Sequence, residues 1–500
     1  MPVYVRHQPE KTILYQVISR AWPKTMLERD LAGESVSPYV RSEFDRYTKC
    51  GILDHGFVRL VCSSCEAERL VAYSCKTRGF CPSCGSRRRE QTADRLESNV
   101  WPNARARQWV LTFPHQVRYW LSRSPELFVQ VIREVTREIS YFYESSPHAV
   151  PNRSQELDPP ATGAITFLQF FGSALALNPH LHMVYLDGVF HRDKTGMRFY
   201  QHPGLVTESM FDVLESIYIR LDRLFRDKGY VKDDGEASIP DSDDQDLDVT
   251  GPFRPRAPKA FRRQGRLESN PRYHLEDPNR MSVEGWCNIK YKWFSLHAAV
   301  SIEGNNREGL KQLFRYASRP SVNISQLSYV TPDDPDRSDV MLKLKRTWSD
   351  GTSSLIFKQQ DFVESLASII PPAWLNLTRY SGVFAPGHAW RATIVPGRKR
   401  ALQISLDHPP CKAEDLGPRG SQESSNGRAP AEHYIEWAEL LRRTMGIDPE
   451  ICTCGQRMRV VDSVTKVDEI RETLLRLGIE STGPPKARQS SGELDYIYDV

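Results

Sequence analysis

Residues 164–189 read AITFLQFFGSALALNPHLHMVYLDGV, and this stretch decides the fold. Two apolar runs, Ala164 to Phe171 and His180 to Val189, carry strand signals, with Asn178-Pro179 marking the turn between them. Period-two alternation along the second run puts His180 and His182 on one face, which Val184 and Leu186 continue. Two neutral imidazoles side by side make a natural half-site for Mg²⁺, Mn²⁺ or Zn²⁺. Taken alone the H-x-H pattern is weak, and a pair satisfied by ordinary hydrogen bonds is its commoner meaning.

Upstream, Trp109 to Phe113 is an apolar strand stopped by Pro114, and a helix over 125–143 carries Leu127, Phe128, Val131, Ile132 and Val135 at helical spacing. Residues 12–48 show helical periods such as Ile13, Val17, Ile18 and Trp22. Downstream, a strand from Phe294 to Ile302 leads into a helix from about Arg307 to Tyr316, ended by Pro320. Val340 to Trp348, Asp350-Gly351 and Ser353 to Phe357 predict a β-hairpin with a turn that tolerates positive φ. Helices are expected near 434–444 and 467–477. The mixture is an α+β fold, and 500 residues suit two to four structural units.

Residues 233–248 hold eight acids in sixteen positions and read as disordered, and 254–272 carry seven Lys/Arg against one acid. That inserted segment interrupts its domain without ending it. Residues 413–432, rich in Gly, Ser, Pro and Glu, read as a linker, and the last twenty residues as a disordered tail. A net charge of +4 argues little about partners. Met1 to Lys11 is polar, and no stretch approaches the roughly 20 apolar residues of a membrane helix, so a cytoplasmic, membrane-free protein is expected.

Six of the ten cysteines fall between Cys50 and Cys84, and in a chain without an export signal such a cluster reads as metal ligands. Cys62-x-x-Cys65, fifteen residues, then Cys81-x-x-Cys84 predicts a structural zinc ribbon, each pair forming one knuckle of a tetrahedron. Cys50, His55 and Cys75 could supply a second site, replace one ribbon ligand or stay unliganded. Arg87, Arg88 and Arg89 beside the ribbon suit phosphate contacts, or simply a solvated basic face.

On the 307–316 helix, Leu310, Leu313, Phe314 and Ala317 form a core stripe. Tyr316 lies about a third of a turn off it, so its hydroxyl can enter a cleft, although a tyrosine flanking a core stripe is also common packing. Arg319 follows as a cation near any phosphate the tyrosine approaches. A histidine-triad hydrolase is excluded, because Val184 stands where its third histidine belongs.

Arg315 to Pro320 (R-Y-A-S-R-P), after Asn178 to His182 (N-P-H-L-H), resembles the HUH-type rolling-circle transposases, nearest to insertion sequence family ninety-one and its ISCR relatives. Ser74 to Cys84, Val110 to Pro114 (V-L-T-F-P) and Arg379 to Pro386 (R-Y-S-G-V-F-A-P) extend the resemblance over about residues 15 to 395. It implies an HUH endonuclease fold: a central antiparallel sheet with flanking helices, an N-terminal zinc ribbon and a small C-terminal helical unit. It also implies that Tyr316 attacks a phosphate of single-stranded DNA at the element ends, giving a 5′-phosphotyrosine and a free 3′-hydroxyl, with Arg319 beside it. A divalent metal, Mg²⁺ or Mn²⁺, would sit on His180 and His182, with Gln169 as the candidate third ligand, and zinc on the cysteines; the host would be bacterial.

The organisation expected is 12–105 for zinc and DNA binding, 106–400 for the nuclease with an insertion at 191–285, a linker at 401–432, a small unit at 433–480 and a tail at 481–500. Two departures stand out. Position 312 is Gln, where two-tyrosine members carry a second nucleophile, so reuse of Tyr316 or a second protomer of a homodimer would have to serve the second cleavage. Relatives carry C-x-x-C-G near the C-terminus, whereas Cys452-Thr453-Cys454-Gly455 has one residue between its cysteines, which argues against metal there. A rolling-circle replication initiator or relaxase shares the chemistry, and a non-catalytic zinc DNA-binding protein shares the cysteines.

Overall fold

The computed structural model describes residues 8–146, 158–193, 196–231, 262–264, 281–397, 437–446 and 448–480. The acidic stretch 233–248, most of 254–272, the expected linker and the tail lie outside the described residues.

The cysteine-rich segment holds strands β1 (Phe57–Cys62) and β2 (Glu68–Ala72). Next come β3 (Ala106–Thr112), β4 (Gly163–Phe171), β5 (Leu177–Leu186), and a ribbon of β6 (Gly188–Asp193) with β7 (Gly196–Gln201). Strands β8 (Arg262–Gln264), β9 (Ser282–Gly285), β10 (Asn288–Tyr291), β11 (Phe294–His297) and β12 (Ser301–Ile302) precede the helix Arg307–Ala317. After it lie β13 (Leu327–Tyr329), β14 (Val340–Lys343), β15 (Ser354–Phe357), β16 (Thr378–Gly382) and β17 (Met458–Val464).

The central sheet runs β16-β4-β5-β3-β11-β10-β9, with β12 also on β3, and every pairing is antiparallel. The α+β class and antiparallel sheet expected from sequence are therefore what the chain forms. Alternation sorts the two faces of the sheet. Trp109, Leu111, Leu168, Phe170, Leu181, Met183 and Tyr185 pack under the helices Pro125–Ser145 and Thr207–Asp227. Ile165, Phe167, Val184 and Leu186 face Leu310, Leu313, Phe314 and Ala317 of the helix Arg307–Ala317. His180 and His182 share this second face, at the end of β5 that the last turn of that helix reaches.

Asn178 and Pro179 do not mark the turn, as the sequence suggested; they lie inside β5. The chain reverses over Gly172–Ala176, where Gly172 N–H donates to the Ala176 carbonyl at 3.1 Å and Leu175 takes φ 54°. Pro179 is tolerated because the β4–β5 ladder is irregular between Gln169 and Phe171, so no N–H is missed there. The expected single strand Phe294 to Ile302 is likewise two strands, β11 and β12, both on β3. The predicted hairpin forms from β14 and β15, and Gly351 at its turn has φ 80°.

The cysteine-rich segment is not a separate bead. Leu14, Val17, Ile18 and Phe44 share one core with Leu342, Leu355, Phe362 and Leu366. Within it Arg29 and Glu364, both buried, pair at 2.9 Å. Residues beyond 437 also return to this region: β17 pairs with β1 in the sheet β17-β1-β2.

Candidate active site and cysteine centres

His180 and His182 point their Nε2 atoms at each other, 3.2 Å apart. Two ligands about 2.1 Å from a shared ion would lie about 3.0–3.4 Å apart in octahedral or tetrahedral geometry, so the spacing fits a common metal. His180 Nδ1 lies 2.7 Å from the Asn178 carbonyl, to which only an Nδ1–H can donate, leaving its Nε2 lone pair free. Burial, opposed by that carbonyl and reinforced by Arg319 and Arg118, brings His180 down to about 4. Burial, then His180 and Arg319, holds His182 well below the usual histidine range. Both rings are thus neutral at pH 7, as metal ligands must be.

Among the described residues no third histidine, cysteine or carboxylate completes the pair into a group within ligand reach. An amide is placed there instead. Gln169 lies directly across the ladder from His180, and its Nε2 donates to the Ala317 carbonyl at 2.7 Å. Its Oε1 is buried with no hydrogen-bond partner. An orphaned amide oxygen on this face is a donor suited to a hard cation, so the residue set fits a divalent metal. Sequence reading missed Gln108, buried on β3, whose Nε2 lies 3.0 Å from His182 Nδ1. To free its Nε2 lone pair for a metal, His182 must carry its proton on Nδ1, and Gln108 must then offer Oε1; the amide can rotate to do so. Gln108 keeps the parity of Val110 and Thr112, and only the pairing of those two with His182 and His180 in the folded sheet gives that parity its meaning.

Tyr316 is half exposed, and its ring stands edge-on to His182 with centroids 5.5 Å apart. Arg319 packs over the rings of Tyr316 and Phe171, at 5.2 and 5.5 Å. Its Nε is buried without a hydrogen-bond partner. A cavity of about 430 Å³ opens beside them, lined among others by Phe171, Tyr316, Arg319, Lys345, Arg346 and Trp348. Burial, then the nearby cations Arg319 and Arg89, lowers Lys345 below the usual lysine range. Arg319, Lys345 and Arg346 thus line one cavity with the tyrosine. Of the arginine triplet, Arg88 donates to the Thr77 carbonyl at 3.0 Å, Arg87 contacts the Ser83 carbonyl at 3.5 Å, and Arg89 lies 3.7 Å from Glu90.

The tyrosine's helix is fixed against the helix Pro82–Arg95 and the turn Leu96–Val100 that continues it. Arg315 meets Glu90 at 2.9 Å, Lys311 meets Asp94 at 2.5 Å and Arg307 meets Glu97 at 2.6 Å, a ladder down two helical faces. Gly85 permits the contact, since a Cβ there would lie 2.7 Å from Cβ of Pro320.

The cysteines assemble differently from the expected ribbon. Cys50, Cys75, Cys81 and Cys84 form one buried group, with sulfurs 3.8, 3.9 and 3.4 Å apart for 50–81, 50–84 and 75–84. Zn–S bonds of about 2.3 Å give a tetrahedral edge of about 3.8 Å, so this set fits zinc. Cys62 and Cys65 do not join Cys81 and Cys84. They sit where β1 turns into β2, and they meet Cys452 and Cys454 instead. The fifteen residues between the two C-x-x-C pairs include β2, which separates them. His55 belongs to neither group. The one-residue spacing of Cys452 and Cys454, which spoke against metal there, does not keep both sulfurs from one cluster.

Fold and cysteine centres together describe an α+β chain with two four-cysteine groups able to hold metal and a cavity lined by basic side chains. Residues 17–113 match the family model of the transposase zinc-binding domain of insertion sequence family ninety-one. Residues 163–391 match a family model described as "Putative transposase". Together the two matches support a transposase of the family ninety-one type. No curated protein and no solved structure matches the chain. Among the described residues no helix is long and apolar enough to cross a membrane.

Proposed function

We propose that this transposase works by HUH chemistry, cutting and rejoining single-stranded DNA through Tyr316 in rolling-circle fashion. The observation that carries the reading is the edge contact of Tyr316 with His182 at the mouth of a basic cleft. The Tyr316 phenol oxygen bonds to phosphorus as the bond to the 3′ oxygen breaks. The phenol loses its proton, the 3′ oxygen gains one, and a 5′-phosphotyrosine remains, so the phosphodiester energy is kept for rejoining. Arg319, against the tyrosine ring, faces the charge that develops on the phosphoryl oxygens. Held by His180, His182 and Gln169 Oε1, a divalent cation would polarise a non-bridging oxygen. Lys345 and Arg346 suit the flanking phosphates, and Phe171 and Trp348 suit stacked bases, a combination typical of single-strand grooves.

A labelled single strand carrying the end of the encoding element tests this on a denaturing gel. A covalent adduct that disappears in Tyr316→Phe is expected. Adduct formed at the normal level by Tyr316→Phe would rule out this nucleophile.

A further inference from the structure

We infer that Cys62, Cys65, Cys452 and Cys454 form a second zinc centre, which clamps the 448–480 segment onto the cysteine-rich segment. The transposase zinc-binding match ends at residue 113, far from half of these ligands. All four sulfurs lie within 4.8 Å of one another, with 62–454 at 3.6 Å and 65–452 at 3.5 Å, and none is in a disulfide. Those separations again approach the edge of a zinc–thiolate tetrahedron.

Both pairs sit on built knuckles. In the first, Glu66 N–H donates to the Cys62 carbonyl and Cys62 N–H to that of Ala67, with Glu66 at φ 59°. The amides of Ser64 and Cys65 donate to the Cys62 sulfur, and that of Ala67 to Cys65. In the second, Gly455 N–H donates to the Cys452 carbonyl at 2.9 Å and Cys452 N–H to that of Gln456 at 2.8 Å. Gly455 takes φ 87°, and the Cys454 amide donates to the Cys452 sulfur. Backbone amides aimed at sulfur are the outer-shell partners that orient the ligands of a metal site. Four soft thiolates in a tetrahedron select zinc over Mg²⁺ or Mn²⁺.

The surroundings hold the two knuckles in register. Strand β17 pairs with β1 from Phe57↔Val464 to Cys62↔Met458, which brings the knuckles to the same end of the sheet. Arg69 donates to the carbonyls of Asp448, Pro449 and Ile451, and Arg476 meets Glu68 at 2.8 Å.

The test is the metal content of the full-length chain after exhaustive dialysis. Cys452→Ser/Cys454→Ser is expected to lose one zinc per chain relative to the parent. An unchanged zinc count, or iron in place of zinc, would overturn the proposal. A second measurement needs no variant: Cys65 and Cys454 are exposed, yet in the zinc-loaded parent they should resist alkylation until a chelator is added. Their immediate modification, or a Cys62–Cys454 disulfide found by mass spectrometry, would overturn it as well. Neither readout depends on Tyr316, so failure here leaves the cleavage proposal standing.

Discussion

The ladder beneath Tyr316 makes a quantitative prediction. Glu90 keeps 8% of its side chain exposed and Arg315 24%, whereas Lys466 and Glu469 keep 79% and 50%. An exposed pair contributes about 0.2–1 kcal/mol, while removing one partner of a fully buried pair costs about 3–5 kcal/mol. Arg315 falls between these limits, since it retains some water and has a second, exposed partner in Glu308 at 3.1 Å. Glu90→Ala is therefore expected to cost about 2 kcal/mol. A cycle of Glu90→Ala, Arg315→Ala and the double variant should return a coupling of about 1–1.5 kcal/mol, against less than about 0.5 for Lys466–Glu469. Urea unfolding followed by tryptophan fluorescence measures both. Because the pair anchors the turn just before the tyrosine, and misplacement by about 1 Å can cost ~100-fold, Glu90→Ala should slow adduct formation by about 10- to 100-fold. A coupling below about 0.3 kcal/mol, or an undiminished adduct rate in Glu90→Ala, would refute the claim that this ladder positions the nucleophile.

His180→Ala or His182→Ala should abolish cleavage while oligonucleotide binding by fluorescence anisotropy stays largely intact; full cleavage in EDTA would count against a metal at this pair. Gln108→Leu should weaken divalent-metal affinity by about 10–100-fold, read by metal titration of the cleavage rate, because it removes the group that fixes the His182 tautomer. Gly85→Ala should reduce adduct formation by pushing Pro320, and with it Arg319, out of place; wild-type rates would mean that the close approach is unimportant. In metal-free protein the pH dependence has a definite sign. His180 is held at about 4 when folded against 6.5 unfolded, so its contribution is fully present above pH 6.5 and is lost as pH falls towards 4. The gap is worth about 3 kcal/mol, and unfolding midpoints in EDTA should fall over that range less steeply in His180→Asn than in the parent.

What the sequence disclosed was local. Alternation put His180 and His182 on one face, and the stripe of Leu310, Leu313, Phe314 and Ala317 left Tyr316 at its edge, as found. Spacing joined Cys62 and Cys65 to Cys81 and Cys84 and so chose the wrong partners, because ligand sets are chosen by strand pairing across the whole chain. Cys62 and Cys454 are neighbours only because β17 adds to β1. The turn was misplaced because Asn178-Pro179 was read as a turn signal, when the bulged ladder asks for no donor at Pro179. Gln108 went unseen since a lone glutamine in an apolar strand acquires meaning only beside the histidine it touches.

The sheet β17-β1-β2 also dictates an order of events at the ribosome. Phe57–Cys62 emerges early, yet the strand that covers its free edge, Met458–Val464, is made about 400 residues later. At about 5–20 residues per second that is roughly 20–80 s with an open strand edge, a template for pairing with other chains. A nascent or truncated chain is thus a distinct species from the finished protein, and proteins that guard exposed strands during translation would meet it at β1.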